Sequence, residues 1–171
     1  VSRGTIDQSK TIPVKDAPSR AQQIVKFGNT LVSKVRPYLQ AFASVTEEHD
    51  GKVCSSGFAV LSAKEGVHSP YITQAVLSKY FLDQMTNRMT GTSYPSVNKS
   101  DFQNVQLFAP PYPEQRRIAE ILSTVDEQIQ QTESIIERLG ELREGVSQDV
   151  FKDGFFEHTD KKETRIGPIT H

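Results

Sequence analysis

The chain holds a single cysteine, Cys54, in 171 residues. One thiol excludes an internal disulfide framework and fits a reducing cytoplasm. No apolar run reaches the ~18 residues a membrane-spanning helix needs, and no basic-then-apolar leader is present, so neither export nor a membrane is expected. The four histidines, His49, His68, His158 and His171, lack ligand spacing, so no metal site is expected. Glycine-rich loops are missing too: Asn98-Lys99-Ser100 lacks the glycines that cradle a phosphate. Ser55-Ser56-Gly57 is not a nucleophile elbow, and no His/Asp pair is evident to serve it. No active site is legible, and no cofactor is expected.

Charge is present but unevenly spread. The formal net charge is −1, yet residues 1–113 carry 12 Lys and Arg against 8 Asp and Glu. Residues 114–150 carry 4 against 9, and residues 151–171 carry 4 of each. A cationic head suits a polyanion, because phosphate neutralisation supplies most nonspecific affinity. The acidic segment should be repelled by DNA and suits a protein partner.

That acidic segment has a regular pattern. Ile118, Leu122, Val125, Ile129, Thr132, Ile136, Leu139, Val146 and Val150 recur in alternating steps of four and three, with Arg143 where an apolar residue is due. This heptad seam predicts one amphipathic helix over residues 113–152. At 1.5 Å per residue its seam from Ile118 to Val150 alone runs roughly 50 Å, too long to lie within a domain of this size. The helix is expected to bury its seam against another long helix. Gly140 and Gly145 weaken its last third, and Lys152-Asp153-Gly154 is a plausible stop.

The head, residues 1–112, reads as mixed and strand-rich, making the whole chain α+β. QQIVKF, NTLVSKV and KVCSSGFAVLSA are β-branched or aromatic runs bounded by turn residues, with Gly28-Asn29 and Asp50-Gly51 as turn signals. Cys54, inside the third run, reads as a small core residue. SPYITQAVLSKYFLDQMTNRMTG predicts one helix, capped by Ser69 and followed by Gly91, with Ile72, Val76, Tyr80 and Met85 on its core face. A polar loop, a capped turn at Ser100 and a short strand, VQLF, complete the head. Residues 153–171 have linker composition. The chain begins without Met and in polar, strand-like sequence, and is expected to be a fragment.

Four segments, in order, resemble the DNA specificity subunit of type I restriction–modification systems. They are PSRAQQIVKFGNTLVSKVRPYL (18–39), CSSGFAVL (54–61), GTSYPSVNKSDFQNVQL (91–107) and PPYPEQRRIAEILSTVDEQIQ (110–130). The resemblance implies a target recognition domain followed by a conserved helix, without catalytic activity of its own. Such subunits usually hold two of these units, each reading half of a split double-stranded DNA site, with their helices packed antiparallel. They scaffold methyltransferase (modification) subunits and, with restriction/translocase subunits, form the restriction enzyme. A second copy or second repeat would then meet the seam residues Ile118, Leu122, Val125, Ile129, Ile136, Leu139 and Val146. KKETRIGPIT resembles the start of a second recognition domain.

Within the head, Gly91 to Lys99 is the best DNA-facing candidate. It offers the hydroxyls of Thr92 and Ser93, aromatic Tyr94, Asn98 and Lys99. Hydroxyls and lysine suit phosphates, and Asn can bond adenine bidentately. The segment reads equally well as a structural turn held by Pro95 and Asn98. Lys34 and Arg36, two apart on one strand, are expected on one face, where they form either a cationic edge or a solvated one; Arg20 is a weaker addition. Ala109-Pro110-Pro111-Tyr112 invites comparison with the Asn/Asp-Pro-Pro-Tyr/Phe motif of amino-methyltransferases, but alanine cannot accept from a target amino group. The pair of prolines reads better as a hinge. The rival to the DNA reading is a coiled-coil scaffold whose head binds only protein, which leaves the opposite charges of head and helix unexplained.

Overall fold

The computed structural model describes residues 1, 4–6, 12–153, 161–164 and 167–170. The chain forms two compact units, Val1–Thr124 and Val125–His171. In the first, β1 (Ala21–Ile24) leads through a turn to β2 (Thr30–Ser33), then β3 (Phe42–Ser44), β4 (Val53–Ser55) and β5 (Phe58–Leu61). Helices α1 (Ser69–Leu77), α2 (Lys79–Thr86) and α3 (Lys99–Gln103) follow, then α4 (Tyr112–Asp153). α4 begins in the first unit and makes up the described helix of the second.

Two small antiparallel sheets share the strands. β2 is central in one, with β3 and β5 on its edges, and β1 pairs with β4 in the other. The run KVCSSGFAVLSA is therefore not one strand. It breaks at Ser56-Gly57, and its halves join different sheets. Gln23 ties the sheets together, its Nε2 donating to the Phe58 carbonyl at 2.9 Å. The turn from β1 to β2 needs glycine: Gly28 has φ +79°, and a Cβ there would lie 3.2 Å from Ser69 Oγ.

β2 is buried along its whole length because both of its faces are covered. Val32 packs with Phe42, Val76, Phe81 and Met85 under α1 and α2. Phe42 and Phe81 meet edge to face, 5.9 Å between ring centres. Leu31, pointing the opposite way by the strand's period of two, packs with Val25 and Val45. Cys54 packs partly against this second cluster, and burial pushes its thiol pKa up. The buried hydroxyls of Thr30 and Thr73 satisfy each other at 2.9 Å.

Several expectations need correction. The single helix read from Ser69 onward is two helices, because Ser78 adopts an extended backbone between them. Its hydroxyl donates to the Ala75 carbonyl at 2.6 Å and accepts from Phe81 N–H at 3.3 Å, competing with the helical ladder. The break turns Phe81 and Met85 inward and Tyr80 outward, so Tyr80 is exposed, beside Phe108, rather than core. His68, not Ser69, occupies the N-cap of α1; the Ser69 hydroxyl donates to the Gly28 carbonyl. VQLF is not a strand. The side chain of Gln84 takes both backbone groups of Gln106, donating to its carbonyl at 2.8 Å and accepting from its N–H at 3.0 Å, in place of a strand partner. The capped turn begins at Asn98 rather than Ser100.

α4 is 42 residues long, roughly 60 Å at 1.5 Å per residue. Its first turn is fastened by Gln115, only 3% exposed. The Gln115 amide donates to the Pro110 carbonyl and accepts from His68 N–H, both at 2.8 Å. Ala119, one turn on, is also buried. Gln115 and Ala119 are the residues of this first stretch that are buried, while Ile118 and Leu122, although near them on the helix, stay exposed. In the second unit, β6 (Lys161–Thr164) pairs antiparallel with β7 (Gly167–Thr170), where composition alone reads as linker. The expected stop residue Gly154 lies outside the described residues; α4 ends at Asp153.

Replacing Gln115 with Leu keeps the volume but strips the His68 N–H and Pro110 carbonyl of their partner. The expected loss is about 1–3 kcal/mol of stability, read from the denaturation midpoint. An unchanged midpoint would show that Gln115 only fills space.

Candidate nucleic-acid interface

The backbone continues beyond β2 as Lys34-Val35-Arg36, and this extension organises the candidate residues. Lys34 N–H donates to the Gly57 carbonyl at 2.8 Å, while its own carbonyl accepts from Val97 N–H at 2.9 Å. Arg36 N–H donates to the Pro95 carbonyl at 2.9 Å, and Val35 bridges Ser96 antiparallel. Ser96 also exchanges hydrogen bonds with Thr90 at 2.9 and 3.0 Å, closing residues 90–96 into a tight loop. The loop reads as a structural turn and as an exposed surface at once. Its base is stitched to residues 34–36, and its tip exposes Thr92, Ser93 and Tyr94.

Asn98 and Lys99 follow this stitch directly. Asn98 sits at the N-cap of α3, with its N–H donating to Asp101 Oδ2 at 2.6 Å. Lys99 opens the helix and is exposed. Arg20 reaches the same neighbourhood from the other side of the sequence. Its carbonyl accepts from Ser56 N–H at 2.6 Å, and its Nη2 lies 3.2 Å from where a Cβ on Gly57 would stand. Among the described residues none of Arg20, Lys34, Arg36 and Lys99 has an ion-pair partner. The fold therefore brings segments up to 79 residues apart into one chain of contacts, with Arg36 and Lys34 at the base of the loop, Lys99 just beyond it, and Arg20 on the Gly57 side of Lys34.

One expected detail fails. Lys34 and Arg36 do not share a strand face, because the ladder ends at Ser33 and Arg36 is left-handed, φ 45°. Gln40, φ 52°, is the other non-glycine residue in that region among those described. Between them a 3-10 turn buries Pro37 and exposes Tyr38 and Leu39. Two left-handed non-glycine residues four apart mark a backbone held by its surroundings, here by the bonds to Pro95 and within the turn. Sequence reasoning missed this turn, since nothing in Arg-Pro-Tyr-Leu-Gln demands φ > 0.

A second surface lies on α4. The seam residues Ile118, Leu122, Val125, Ile129, Ile136, Leu139 and Val146 are all exposed, Ile136 at 62%. Ile121, Ile135 and Leu142 are exposed beside them. These three recur every seventh position or its multiple, flanking the seam and widening the apolar stripe. The heptad was legible, but its flank was not singled out.

Among the described residues no group of His, Cys, Asp or Glu could hold a metal ion, and no helix is long and apolar enough to cross a membrane. Tyr112 of the Pro-Pro-Tyr stretch starts α4 and meets His68 edge to face at 5.7 Å. With Gln115 bound to Pro110, that stretch is a fastened hinge.

A cationic strand-and-loop surface and a long helix with an exposed apolar seam occur in one chain. Residues 2–141 match the model of the Type I restriction modification DNA specificity domain, and the chain belongs to that family. The type I restriction enzyme MjaVIII specificity subunit of Methanocaldococcus jannaschii is 38% identical over 93 residues, 54% of this chain and 21% of that protein. The crystal structure of the HsdS subunit from Thermoanaerobacter tengcongensis aligns with a TM-score of 0.67 at 30% identity, covering 93% of this chain and 41% of that one. A chain from a structure addressing complex assembly and conformational transition of the type I R-M system aligns at 0.71 and 29% identity, with the same coverage. The chain thus spans between a fifth and two fifths of the length of these relatives.

The loop should depend on Gly91, which has φ +90° and would place a Cβ 3.1 Å from the Tyr94 carbonyl oxygen. Gly91→Ala is expected to cost about 1–3 kcal/mol locally and to speed amide exchange at Thr90 and Ser96. Unchanged exchange at both amides would mean the loop tolerates the strain.

Proposed function

We propose that this chain is the DNA-recognition portion of a type I restriction–modification specificity subunit. It reads half of a split target in double-stranded DNA, scaffolds methyltransferase subunits, and joins the restriction/translocase subunit in the cytoplasmic complex. It has no catalytic role and requires no cofactor. Residues 1–112 act as the target recognition domain, 113–152 as the dimerisation and spacer helix and 153–171 as a linker tail. The observation that carries this reading is the backbone stitch that sets Lys34, Arg36 and Lys99 beside the 90–96 loop, with Arg20 by Gly57, in a chain of the specificity-domain family. Cations without acidic partners among the described residues are available to phosphates, while Thr92, Ser93, Tyr94 and Asn98 are exposed for hydroxyl, stacking and amide contacts.

The division of labour is testable in salt-dependent titrations with duplex DNA. Replacing Arg36 with Gln should weaken binding to all sequences and reduce the salt slope by about one unit. Replacing Tyr94 or Asn98 with Ala should cost on the order of 1–3 kcal/mol on the cognate site and little on random DNA. Neutralising Glu133 or Glu137 should leave specificity untouched. Head variants without effect, beside helix variants that abolish binding, would favour the protein-only scaffold.

The seam takes a second helix of its own kind, from a second repeat or a second copy. An apolar stripe this long is costly in water, and an antiparallel pair buries it twice over with two-fold symmetry. The chain alone should therefore self-associate on the order of tens of micromolar, and Ile129→Asp or Ile136→Asp should abolish this by burying a charge without a partner. Sedimentation equilibrium decides the matter: a wild-type monomer at that concentration rules out pairing by the seam.

A further inference from the structure

A cleft of about 420 Å³ opens beside β5 and α3, with Lys34, Lys99, Gln23, Gln103, Phe58 and Phe102 in its walls. We propose that it is a site for one backbone phosphodiester of duplex DNA, held jointly by Lys34 and Lys99. The proposal rests on the reading of the chain as a DNA-recognition domain and adds the place where a particular phosphate sits.

The two lysines lie 65 positions apart in sequence. The bond from Val97 N–H to the Lys34 carbonyl, 2.9 Å, draws the segment leading into Lys99 alongside Lys34. Two like charges in one cleft repel, more strongly where water is displaced, and neither is neutralised by an acidic side chain among the described residues. A shared anion relieves that repulsion. The walls of the cleft are set by the core. Phe102 packs against the cluster under α1 and α2, and Phe58 against the cluster below β2. They give the cleft rigid apolar sides suited to the sugar carbons that flank a phosphodiester. Gln23 is held in place because its Nε2 is spent on the Phe58 and Ser55 carbonyls. Among the described residues the exposed amide of Gln103 has no partner and can donate to an anion. The cleft is far larger than a carboxylate requires, and Asn98, next to Lys99, is an exposed residue of the proposed reading surface. Both points favour a sugar–phosphate backbone over an acidic side chain of a protein.

One phosphate shared by two lysines has a signature that two independent contacts lack. In titrations of the whole chain against duplex DNA, Lys34→Gln and Lys99→Gln should each lower the salt slope by about one unit. The double variant should lower it by no more than either single one. Lys34→Gln combined with Arg36→Gln, whose partners differ, should lower it by about two units. A scan of methylphosphonate substitutions along the duplex should find one position whose neutralisation makes both lysine variants silent. Additive slopes for Lys34→Gln/Lys99→Gln, with no such position, would overturn the shared site while leaving the DNA-recognition reading intact. Lysine variants without effect beside an active Arg36→Gln would do the same. Binding of a poly-glutamate peptide through both lysines, with DNA binding indifferent to them, would assign the cleft to a protein partner instead. If the unmutated chain shows no salt-dependent DNA binding, the site and the DNA-recognition reading fall together.

Discussion

Everything in the head depends on β2 being satisfied on all sides. Its edges are paired with β3 and β5, and its faces are covered by two separate apolar clusters. A strand so enclosed has one register, because a slip of one residue would exchange Val32 for Leu31 between environments built for the other. That certainty passes to the residues just beyond its end. Lys34 and Arg36 offer backbone groups at defined positions, and the 90–96 loop attaches to them. The candidate interface is rigid at its base for this reason, although its tip is exposed polar loop.

A similar economy governs the start of α4. Gln115 and Ala119 face inward, so the helix meets the head through one amide, one methyl and the ring of Tyr112 against His68. A wider apolar contact there would have consumed Ile118 and Leu122. The narrow attachment leaves the seam exposed from Ile118 onward. The amide also supplies specificity of placement that apolar packing lacks, since its donor and acceptor must meet the Pro110 carbonyl and the His68 N–H together.

The opposite charges of head and helix then acquire a structural reading. Cations cluster where the strand extension, the loop and α3 meet, while acidic residues lie along a helix whose apolar stripe suits another helix. Each surface is unsuited to the partner of the other.

Much of this was legible in the amino-acid order. The heptad over residues 113–152, the α+β character, the family segments and the candidate cations are local patterns, and local patterns follow from periodicity and side-chain chemistry alone. What only the tertiary structure decided involves distant partners. Ser78 breaks a helix that propensity would continue, since its hydroxyl competes for backbone groups while Phe81 and Met85 are drawn to Val32. VQLF has strand composition but no strand, because a glutamine side chain from α2 satisfies its backbone. Arg36 is left-handed because Pro95 holds its N–H, which parts it from Lys34 despite their spacing. Lys34 instead shares a cleft with Lys99, a pairing that no spacing announces. Sequence determines which groups are available; a hydrogen bond between residues 34 and 97 determines which of them meet.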